Sequence, residues 1–317
     1  MNEIFPTCLP AQFEVMVGGR QLRLTHCDRV LWPDAGFTKA DLILYYLSVA
    51  EELLPHLRDR LVTVTRYPDG VDHPGFYQKH LPEYAPDWLG RIRIASEEAE
   101  RGYIDYPDIR EPAALIWFAN QAAIELHPSL NRVDRPGHPD YAIFDLDPNP
   151  PANLATAREV ALRLRDLLVR LGLRSYPKLT GATGLHIYVP LEPIYSFDIT
   201  SQFVAYLGEL LVHHRPDQVT NERLVARRGG RVYIDHLQNR PSKTIVAVLS
   251  VRPLTSAPLS LPITWDELEA GLPGPFTLAD RAEAQRRAAL FRPVLQGGQR
   301  LDALLPVLQE RLASSRA

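Results

Sequence analysis

Two aspartates lie one residue apart at the end of an apolar run, in the segment Tyr141-Ala142-Ile143-Phe144-Asp145-Leu146-Asp147-Pro148. Residues i and i+2 of a strand point to the same face, so the sequence predicts that Asp145 and Asp147 lie side by side. Carboxylates that close repel each other, and a hard divalent cation such as Mg²⁺ or Mn²⁺ is the usual partner of oxygen ligands. The alternative is an ordinary strand end at which both aspartates cap the following turn.

A third aspartate has neighbours of the same kind. Asp235 lies among alternating apolar residues in 231–237, which predicts a second strand that carries a carboxylate. Three acids on two strands suit a site for two metal ions about 3.5–4 Å apart, where one ion activates an attacking oxygen and the other stabilises a triphosphate. These residues therefore indicate phosphoryl transfer.

A turn bracketed by glycines lies between two predicted strands, over 174–179 and 185–189. The turn Thr180-Gly181-Ala182-Thr183-Gly184 leaves backbone N–H groups in a concavity that suits phosphate oxygens. His186 lies on the strand that leaves this turn. Taken alone, such a turn is more often a plain hairpin, and a single histidine is more often a satisfied core residue than a ligand.

Two segments suit contact with a nucleic acid. Between Arg223 and Arg252 the chain carries seven basic residues and one acid, although its net charge is −3. This local basic zone suits a polyanion, and the alternative is a solvated charged face. The segment Phe76-Tyr77-Gln78-Lys79-His80 places aromatic rings beside a cation, which suits base stacking next to a phosphate contact. The alternative for these rings is a plug that closes the core under a loop.

The elements that must position these residues follow from hydrophobic periodicity and turn residues. The sequence predicts an α+β fold with a hairpin over 13–25, and a helix over 42–54 that is capped by Thr38 and ends at Pro55. Further predicted elements are strands over 61–65, 89–95, 102–106 and 124–127, helices over 113–123, 155–171 and 198–213, and C-terminal helices over 265–270, 278–291 and 301–312. We expect a catalytic core over 1–255 and a helical C-terminal tail over 256–317 that packs on it.

Length and composition exclude several classes of protein. A chain of 317 residues with 45% hydrophobic residues is long enough for one large or two moderate domains. Its two cysteines, Cys8 and Cys27, have no partners at the spacing of a zinc site or a disulfide framework. No apolar run reaches the roughly 20 residues of a membrane helix, and the first residues lack an export signal. We expect a soluble cytoplasmic protein with no membrane partner.

The motifs taken together resemble a known family. They are Thr38-Lys39-Ala40-Asp41, Phe76-Tyr77-Gln78-Lys79-His80, Ala119-Asn120-Gln121, Glu125-Leu126-His127-Pro128, Phe144-Asp145-Leu146-Asp147-Pro148, Thr180-Gly181-Ala182-Thr183-Gly184-Leu185-His186, Tyr233-Ile234-Asp235-His236-Leu237-Gln238-Asn239 and Ser250-Val251-Arg252-Pro253. In this order they resemble the archaeo-eukaryotic primase superfamily, specifically the polymerase domain of bacterial DNA ligase D and its stand-alone relatives. The resemblance extends through nearly the whole chain.

This resemblance implies a primase-polymerase fold with two β-sheet modules flanked by helices. It implies a nucleotidyltransferase that adds nucleotides, preferentially ribonucleotides, to DNA 3′ ends at breaks or gaps. The implied metal ligands, for two Mn²⁺ or Mg²⁺ ions, are Asp145, Asp147 and Asp235. The implied nucleotide-binding residues are His127, Thr180, Gly181, Gly184, His186 and Arg252. The implied DNA contacts are Phe76 and Tyr77 at the template base, Lys79, Arg228, and Lys39 at a downstream 5′-phosphate.

Two departures from the family pattern lower the positive charge of the implied nucleotide pocket. Thr183 stands where the family commonly has a lysine, and Gln238 stands where some members have an arginine. A ligase nucleophile is also missing, because the closest match to its lysine motif begins with Tyr67. We therefore expect a nucleoid-associated protein that works alone, or with a DNA ligase and an end-binding protein in trans.

Two other functions stay open from the sequence. The first is a nucleic-acid-binding subunit that kept the fold and lost turnover, although a pure binder gains nothing from three acids beside phosphates. The second is a metal-dependent glycosyltransferase that holds a nucleotide sugar through Asp145 and Asp147. This second function explains neither Asp235 nor the arginines of the basic zone.

Overall fold

The computed structural model describes residues 10–97 and 99–314 of the chain. Cys8 and the chain ends lie outside these residues, so predictions made for them are not addressed further. No helix in the described part of the chain is both long and apolar enough to cross a membrane. Helices and strands are both present in quantity, as the predicted α+β class requires.

The helices and strands of the described residues are as follows in chain order. The strands are β1 (Gln12–Val17), β2 (Arg20–Thr25), β3 (Val30–Trp32), β4 (Phe37–Thr38), β5 (Val62–Arg66), β6 (Phe76–Gln78), β7 (Gly90–Ala95), β8 (Tyr103–Asp108), β9 (Ala123–Pro128), β10 (Tyr141–Pro148), β11 (Tyr176–Leu179), β12 (Leu185–Pro190), β13 (Val219–Thr220) and β14 (Val232–Ile234). The α-helices are α1 (Lys39–Leu57), α2 (Pro112–Asn120), α3 (Leu154–Arg170), α4 (Phe197–His214), α5 (Trp265–Ala270), α6 (Arg281–Ala288) and α7 (Leu305–Ser314). Short 3₁₀ helices are Val225–Arg227, His236–Asn239, Leu278–Asp280 and Ala289–Leu295.

The described residues form two compact units that alternate along the chain. The first unit contains the chain up to Pro128, with Val246–Ser260 and Pro275–Ala289. The second contains Ser129–Ile245, Leu261–Gly274 and the chain from Leu290. Residues of the predicted C-terminal tail thus contribute to both units, and the predicted division at 255/256 stays a prediction.

The first unit is built on a small antiparallel sheet in the order β6-β5-β9. Helix α1 begins at a capping box, in which Thr38 and Asp41 exchange hydrogen bonds between side chain and backbone. One face of α1 is buried, including Leu42, Tyr45 and Tyr46. The sheet and this helix together position strands β6 and β9.

The second unit is built on a five-stranded sheet in the order β11-β12-β10-β14-β13. All neighbours are antiparallel except β13 and β14, which are parallel. Phe144 of β10 is fully buried and packs edge-on against Phe203 of α4, with ring centroids 5.7 Å apart. The predicted aspartate strand is therefore confirmed, and it lies at the centre of the sheet.

Several predicted boundaries were wrong. Helix α1 continues through Pro55 to Leu57, because the last turn is closed by a hydrogen bond from Arg58 N–H to the Leu54 carbonyl. Phe76–Gln78, which is not among the predicted strands, forms β6 by pairing with β5. The predicted strand over 231–237 ends at Ile234, and a 3₁₀ turn follows Asp235. The helix predicted over 278–291 is split into 3₁₀ and α segments, and the last helix begins at Leu305 instead of 301.

Candidate functional site

Asp145 lies between a histidine and a second carboxylate in the centre of the sheet. On one side, Asp145 is directly opposite His186 of β12, and His186 Nε2 lies 3.3 Å from Asp145 Oδ1. On the other side, the Asp235 N–H donates to the Asp145 carbonyl at 3.1 Å, one residue beyond the pair Leu146 and Ile234. Directly opposed residues of antiparallel strands point to the same face. Asp145, Asp147 and Asp235 therefore share one face of the sheet, which the sequence predicts for Asp145 and Asp147.

Asp147 forms an ion pair with Arg228. Arg228 donates from a terminal guanidinium nitrogen to Asp147 Oδ2 at 2.7 Å, and the Arg228 side chain is only 11% exposed. The guanidinium also lies over the Tyr233 ring, 4.0 Å from its centroid. The predicted DNA contact Arg228 is thus placed in the carboxylate cluster, where it balances one negative charge.

Asp235 is held by local bonds. Its Oδ1 accepts from the Tyr233 hydroxyl at 3.1 Å and from the Leu237 N–H at 2.9 Å, so it caps the 3₁₀ turn. Burial and the Asp235 charge raise the pKa of Tyr233, so this phenol stays protonated and donates. The carboxylate is thereby aimed from the end of β14 toward the face that holds Asp145.

The carboxylate cluster has the donor chemistry of a site for divalent ions. Within residues 10–97 and 99–314, no group of three or more His, Cys, Asp or Glu side chains is placed to hold a metal ion. Each carboxylate instead contacts a protein group: His186 for Asp145, Arg228 for Asp147 and Tyr233 for Asp235. Three carboxylates on one face of a sheet are the hard oxygen donors that Mg²⁺ and Mn²⁺ select. The chemical type of these side chains therefore suits such ions.

The glycine turn lies against β10 between the two aspartates. Thr180 Oγ1 accepts from the N–H groups of Ala182 and Gly184, at 3.1 and 3.2 Å. A side chain at Gly184 would clash with the Leu146 carbonyl oxygen, so only glycine permits this approach. Gly181 has φ of +74°, a conformation that glycine adopts without strain. The structure therefore brings Thr180, Gly181, Gly184 and the buried His186 together with the carboxylate cluster.

In the first unit, a buried glutamate links an arginine and a histidine. Glu125 of β9 accepts from Arg252 Nε at 2.7 Å, and its other oxygen lies 3.3 Å from His127 Nε2. Burial alone would raise the pKa of Glu125, but the hydrogen bonds and charges of His127 and Arg252 outweigh burial and lower it. The two predicted nucleotide-binding residues His127 and Arg252 are thus oriented by a common ionised partner.

The predicted template-stacking residues lie on β6, beside this group. Tyr77 is 69% exposed and packs edge-on against the His127 ring, with centroids 5.9 Å apart. Phe76 is 46% exposed, and the Arg66 guanidinium lies 5.3 Å from its ring centroid. Rings this exposed do not plug the core. The exposure of Phe76 and Tyr77 favours stacking on bases over the alternative of an aromatic plug that closes the core.

The predicted lysine contacts differ in their surroundings. Lys79 is exposed immediately after β6. Lys39 is 5% exposed, and its Nζ donates to the Asn120 carbonyl at 2.9 Å. Both roles in DNA binding stay predictions.

The sequence interpretation assigned no roles to Glu125, Tyr233 and Asn239. The Asn239 side chain is fully buried and bonds to the Ile143 backbone, which supports the strand that carries Asp145. Each of these residues lies in a quoted motif, two to four positions from a predicted site residue. A buried polar residue at that spacing is the signal that points to a supporting role.

The comparisons with known proteins agree on one family. Residues 38–290 match the family described as the LigD primase-polymerase domain. The chain is 38% identical over 258 residues to the multifunctional non-homologous end joining DNA repair protein LigD of Mycobacterium tuberculosis. It is 34% identical over 260 residues to the bifunctional non-homologous end joining protein LigD of Bacillus subtilis. These matches cover 79% and 81% of this chain, but only 34% and 41% of the relatives.

A solved structure matches the fold. The polymerase domain from Mycobacterium tuberculosis ligase D in complex with DNA has a TM-score of 0.81 and 34% sequence identity, and the match covers 87% of this chain and 98% of that one. The predicted primase-polymerase fold is therefore confirmed. From the shared motifs, the fold and the match over residues 38–290, this chain belongs to the LigD primase-polymerase domain family.

Proposed function

We propose that this chain is a repair nucleotidyltransferase that adds nucleotides, preferentially ribonucleotides, to DNA 3′ ends at breaks or gaps. The observation that carries the proposal is the set of three carboxylates, Asp145, Asp147 and Asp235, on one face of adjacent strands in a chain of this family. The glycine turn and His186 lie beside them. Carboxylates next to a phosphate cradle suit phosphoryl transfer with two metal ions.

Asp145, Asp147 and Asp235 would hold the two ions, Mg²⁺ or Mn²⁺. Such ions activate an attacking hydroxyl and neutralise charge on a triphosphate. Arg228 supplies a positive charge against Asp147 in the same cluster. The protein groups around the carboxylates thus fix their orientation and balance part of their charge.

The triphosphate of the incoming nucleotide is assigned to the glycine turn of the second unit. The Gly181 N–H, with His186, would donate to phosphate oxygens, while Gly184, whose N–H is held by Thr180 Oγ1, lets the turn approach β10. Arg252 and His127, both held by Glu125 in the first unit, are the other proposed nucleotide-binding residues. The pocket lacks a lysine at Thr183, and the Gln238 amide is used by a bond to the Thr244 carbonyl. Arg252 is therefore the only arginine or lysine among the proposed nucleotide-binding residues.

The DNA substrate is assigned to exposed aromatic and basic residues. Phe76 and Tyr77 would stack on the template base, Lys79 would contact a backbone phosphate, and Lys39 a downstream 5′-phosphate. Two relatives are named for non-homologous end joining, and the solved relative contains DNA. A DNA ligase and an end-binding protein acting in trans, in the cytoplasm at the nucleoid, complete the proposed role.

Primer extension tests the proposal directly. The wild-type chain, with Mn²⁺ or Mg²⁺, is expected to extend a primer on gapped and blunt-ended DNA, with ribonucleotides used better than deoxynucleotides. Replacing Asp145 and Asp147 together with Asn should abolish extension while the circular dichroism spectrum is unchanged. Asp217→Asn is the control, because this exposed carboxylate pairs with Arg215 away from the cluster. Full activity of the Asp145/Asp147 double variant would refute the assignment.

One observation favours a second candidate, a DNA-binding subunit without turnover. Arg228 contacts Asp147 at 2.7 Å and therefore competes with a cation for that carboxylate. Incorporation assays with Mn²⁺ at several salt concentrations separate the two functions, because DNA binding without any incorporation supports the binding subunit.

A further inference from the structure

A second exposed aromatic surface lies next to Phe76 in the first unit. Tyr84 is 62% exposed and packs against Trp117, with ring centroids 6.2 Å apart. Trp117 packs edge-on against the buried Phe118, with ring centroids 4.9 Å apart. We refer to Tyr84, Trp117 and Arg66 as the second aromatic platform. The Tyr84 ring is thus exposed to solvent, while Trp117 beneath it is held in place by Phe118.

Arg66 connects this platform to the predicted template-stacking residues. Its guanidinium lies 5.3 Å from the Phe76 ring centroid and donates to the Tyr84 hydroxyl at 2.9 Å. The same side chain donates to the Gln78 side chain at 2.9 Å and to the Gln121 carbonyl at 2.8 Å. The guanidinium is therefore fixed between two exposed rings. Phe76, Arg66 and Tyr84 therefore form a row of stacking groups, whereas Tyr77, the next residue of β6, points to the other face of the strand and contacts His127.

We propose that the second aromatic platform binds an unpaired nucleobase of the template strand, adjacent to the base that stacks on Phe76. This inference rests on the proposed function. Template-directed synthesis leaves unpaired bases on the 5′ side of the templating base, and these bases have to cross the protein surface. Every base has an aromatic face, so stacking on Tyr84 tolerates any template sequence. Arg66 adds a cation that attracts both the base and its phosphate.

The exposure of Tyr84 distinguishes this role from a purely structural one. A tyrosine that only anchors Arg66 needs its hydroxyl and gains nothing from a solvent-exposed ring. An aromatic ring that is left exposed and held by both an arginine and a tryptophan is instead preorganised for stacking. Continuity with Phe76 selects a template base as the occupant over an unrelated protein partner.

Template length tests the proposal. We expect the wild-type KM for DNA to fall when the unpaired template is lengthened from one nucleotide to two or four. In Tyr84→Ala this gain in affinity, measured as the fall in KM, should be smaller by at least about fivefold, since base–aromatic stacking is worth about 1–3 kcal/mol. Tyr84→Phe keeps the ring and should retain the gain, whereas Tyr84→Leu keeps apolar volume without a π face and should lose it. Tyr206→Ala is the matched control, because Tyr206 also stacks with an arginine, Arg311, in the second unit.

A fluorescence measurement reads stacking without catalysis. 2-Aminopurine at the second unpaired template position should be quenched on binding to the wild-type chain and not to Tyr84→Ala. The same probe at the first position should be quenched by both. The proposal would be contradicted by equal quenching of the probe at the second position in wild type and Tyr84→Ala. It would also be contradicted if the two proteins had equal KM values for DNA at every template length. If the wild-type chain extends no primer, the proposed function fails, but the fluorescence result still decides whether the platform binds a base.

Discussion

The side-chain amide of Asn239 forms two hydrogen bonds with the backbone of Ile143. The Ile143 N–H donates to Asn239 Oδ1 at 2.8 Å, and Asn239 Nδ2 donates to the Ile143 carbonyl at 2.7 Å. Strand β14 ends at Ile234, so this amide pairs with the edge of β10 where a longer β14 would have paired. Asn239 therefore ties the strand of Asp145 to the 3₁₀ turn that follows Asp235.

Replacing Asn239 with Leu should destabilise the chain and reduce activity. The change leaves the Ile143 N–H and carbonyl buried without partners, at a cost of about 1–3 kcal/mol for each group. We expect the free energy of unfolding in urea to fall by about 2–4 kcal/mol, with a larger loss of primer extension than of DNA affinity. Asn131→Ala is the control, because its amide bonds locally to the Arg132 carbonyl. Wild-type stability of Asn239→Leu would contradict the assigned support.

Gly184→Ala tests the contact between the glycine turn and β10. The added methyl group would meet the backbone oxygen of Leu146, which lies between Asp145 and Asp147 and cannot rotate away. Overpacking of this kind costs about 1–3 kcal/mol, and here it also displaces the turn from the carboxylates. We expect a lower thermal midpoint and a raised KM for nucleoside triphosphate. Thr183→Ala, on the exposed side of the turn, should change neither measurement by much, and equal effects of the two substitutions would argue against the contact.

Glu125→Gln should weaken nucleotide binding. Glutamine can still accept from Arg252 but carries no charge, so Arg252 and His127 lose their common ionised partner. We expect the KM for nucleoside triphosphate to rise more than kcat falls. Glu192→Gln, which affects an exposed pair with Arg300, is the control. An unchanged KM would show that Glu125 does not position these residues.

The same glutamate predicts a pH dependence of stability. His127 and Arg252 lower the pKa of Glu125 below its ordinary value of 4.5, despite burial. The stabilisation is present above pH 4.5 and is lost as the pH falls through the lower, folded-state pKa. Wild type should therefore lose more unfolding free energy than Glu125→Gln between pH 5 and the onset of acid unfolding. Parallel curves for the two proteins would contradict this expectation.

The lowered pKa of Lys39 predicts that stability and gap binding change at alkaline pH. Burial lowers the pKa of Lys39 to about 8; Arg29 and Arg66 act in the same direction, whereas Cys27 and Asp28 oppose them. Between pH 8 and 10.5 the unfolded chain binds a proton that the folded chain does not, so Lys39 makes stability rise with pH in that window. Preference for a 5′-phosphorylated gap should fall from pH 7 to pH 9 as Lys39 loses its charge. Lys39→Met should lack both effects, which denaturation and gap-binding titrations measure.

The local elements were predictable because their signals are contained in short segments. The β1–β2 hairpin follows from Gly18 and Gly19, the start of α1 follows from Thr38 and Asp41, and the aspartate strand follows from its apolar run. The shared face of Asp145 and Asp147 follows from strand geometry alone. These features need no partner that is distant along the chain.

The remaining features depend on partners that a single segment does not show. Phe76–Gln78 becomes a strand only because β5 offers a free edge. The strand at Asp235 stops early because the Asn239 side chain replaces the backbone pairing. Glu125 and its partner Arg252 are 127 positions apart in the sequence. The role of Glu125 in holding Arg252 and His127 therefore could not be predicted from the residues next to it in the chain.

The position of β10 in its sheet determines how each catalytic candidate responds to local opening of the protein. Asp145 and Asp147 lie on a strand that is paired on both edges, so their amides should exchange with solvent only through global unfolding. Asp235 instead lies where β14 passes into a 3₁₀ turn, which the Asn239 side chain, and not a backbone ladder, ties to β10. Hydrogen exchange should therefore be slowest in β10 and faster over His236–Asn239. Of the three proposed metal ligands, Asp145 and Asp147 should therefore be held more rigidly than Asp235.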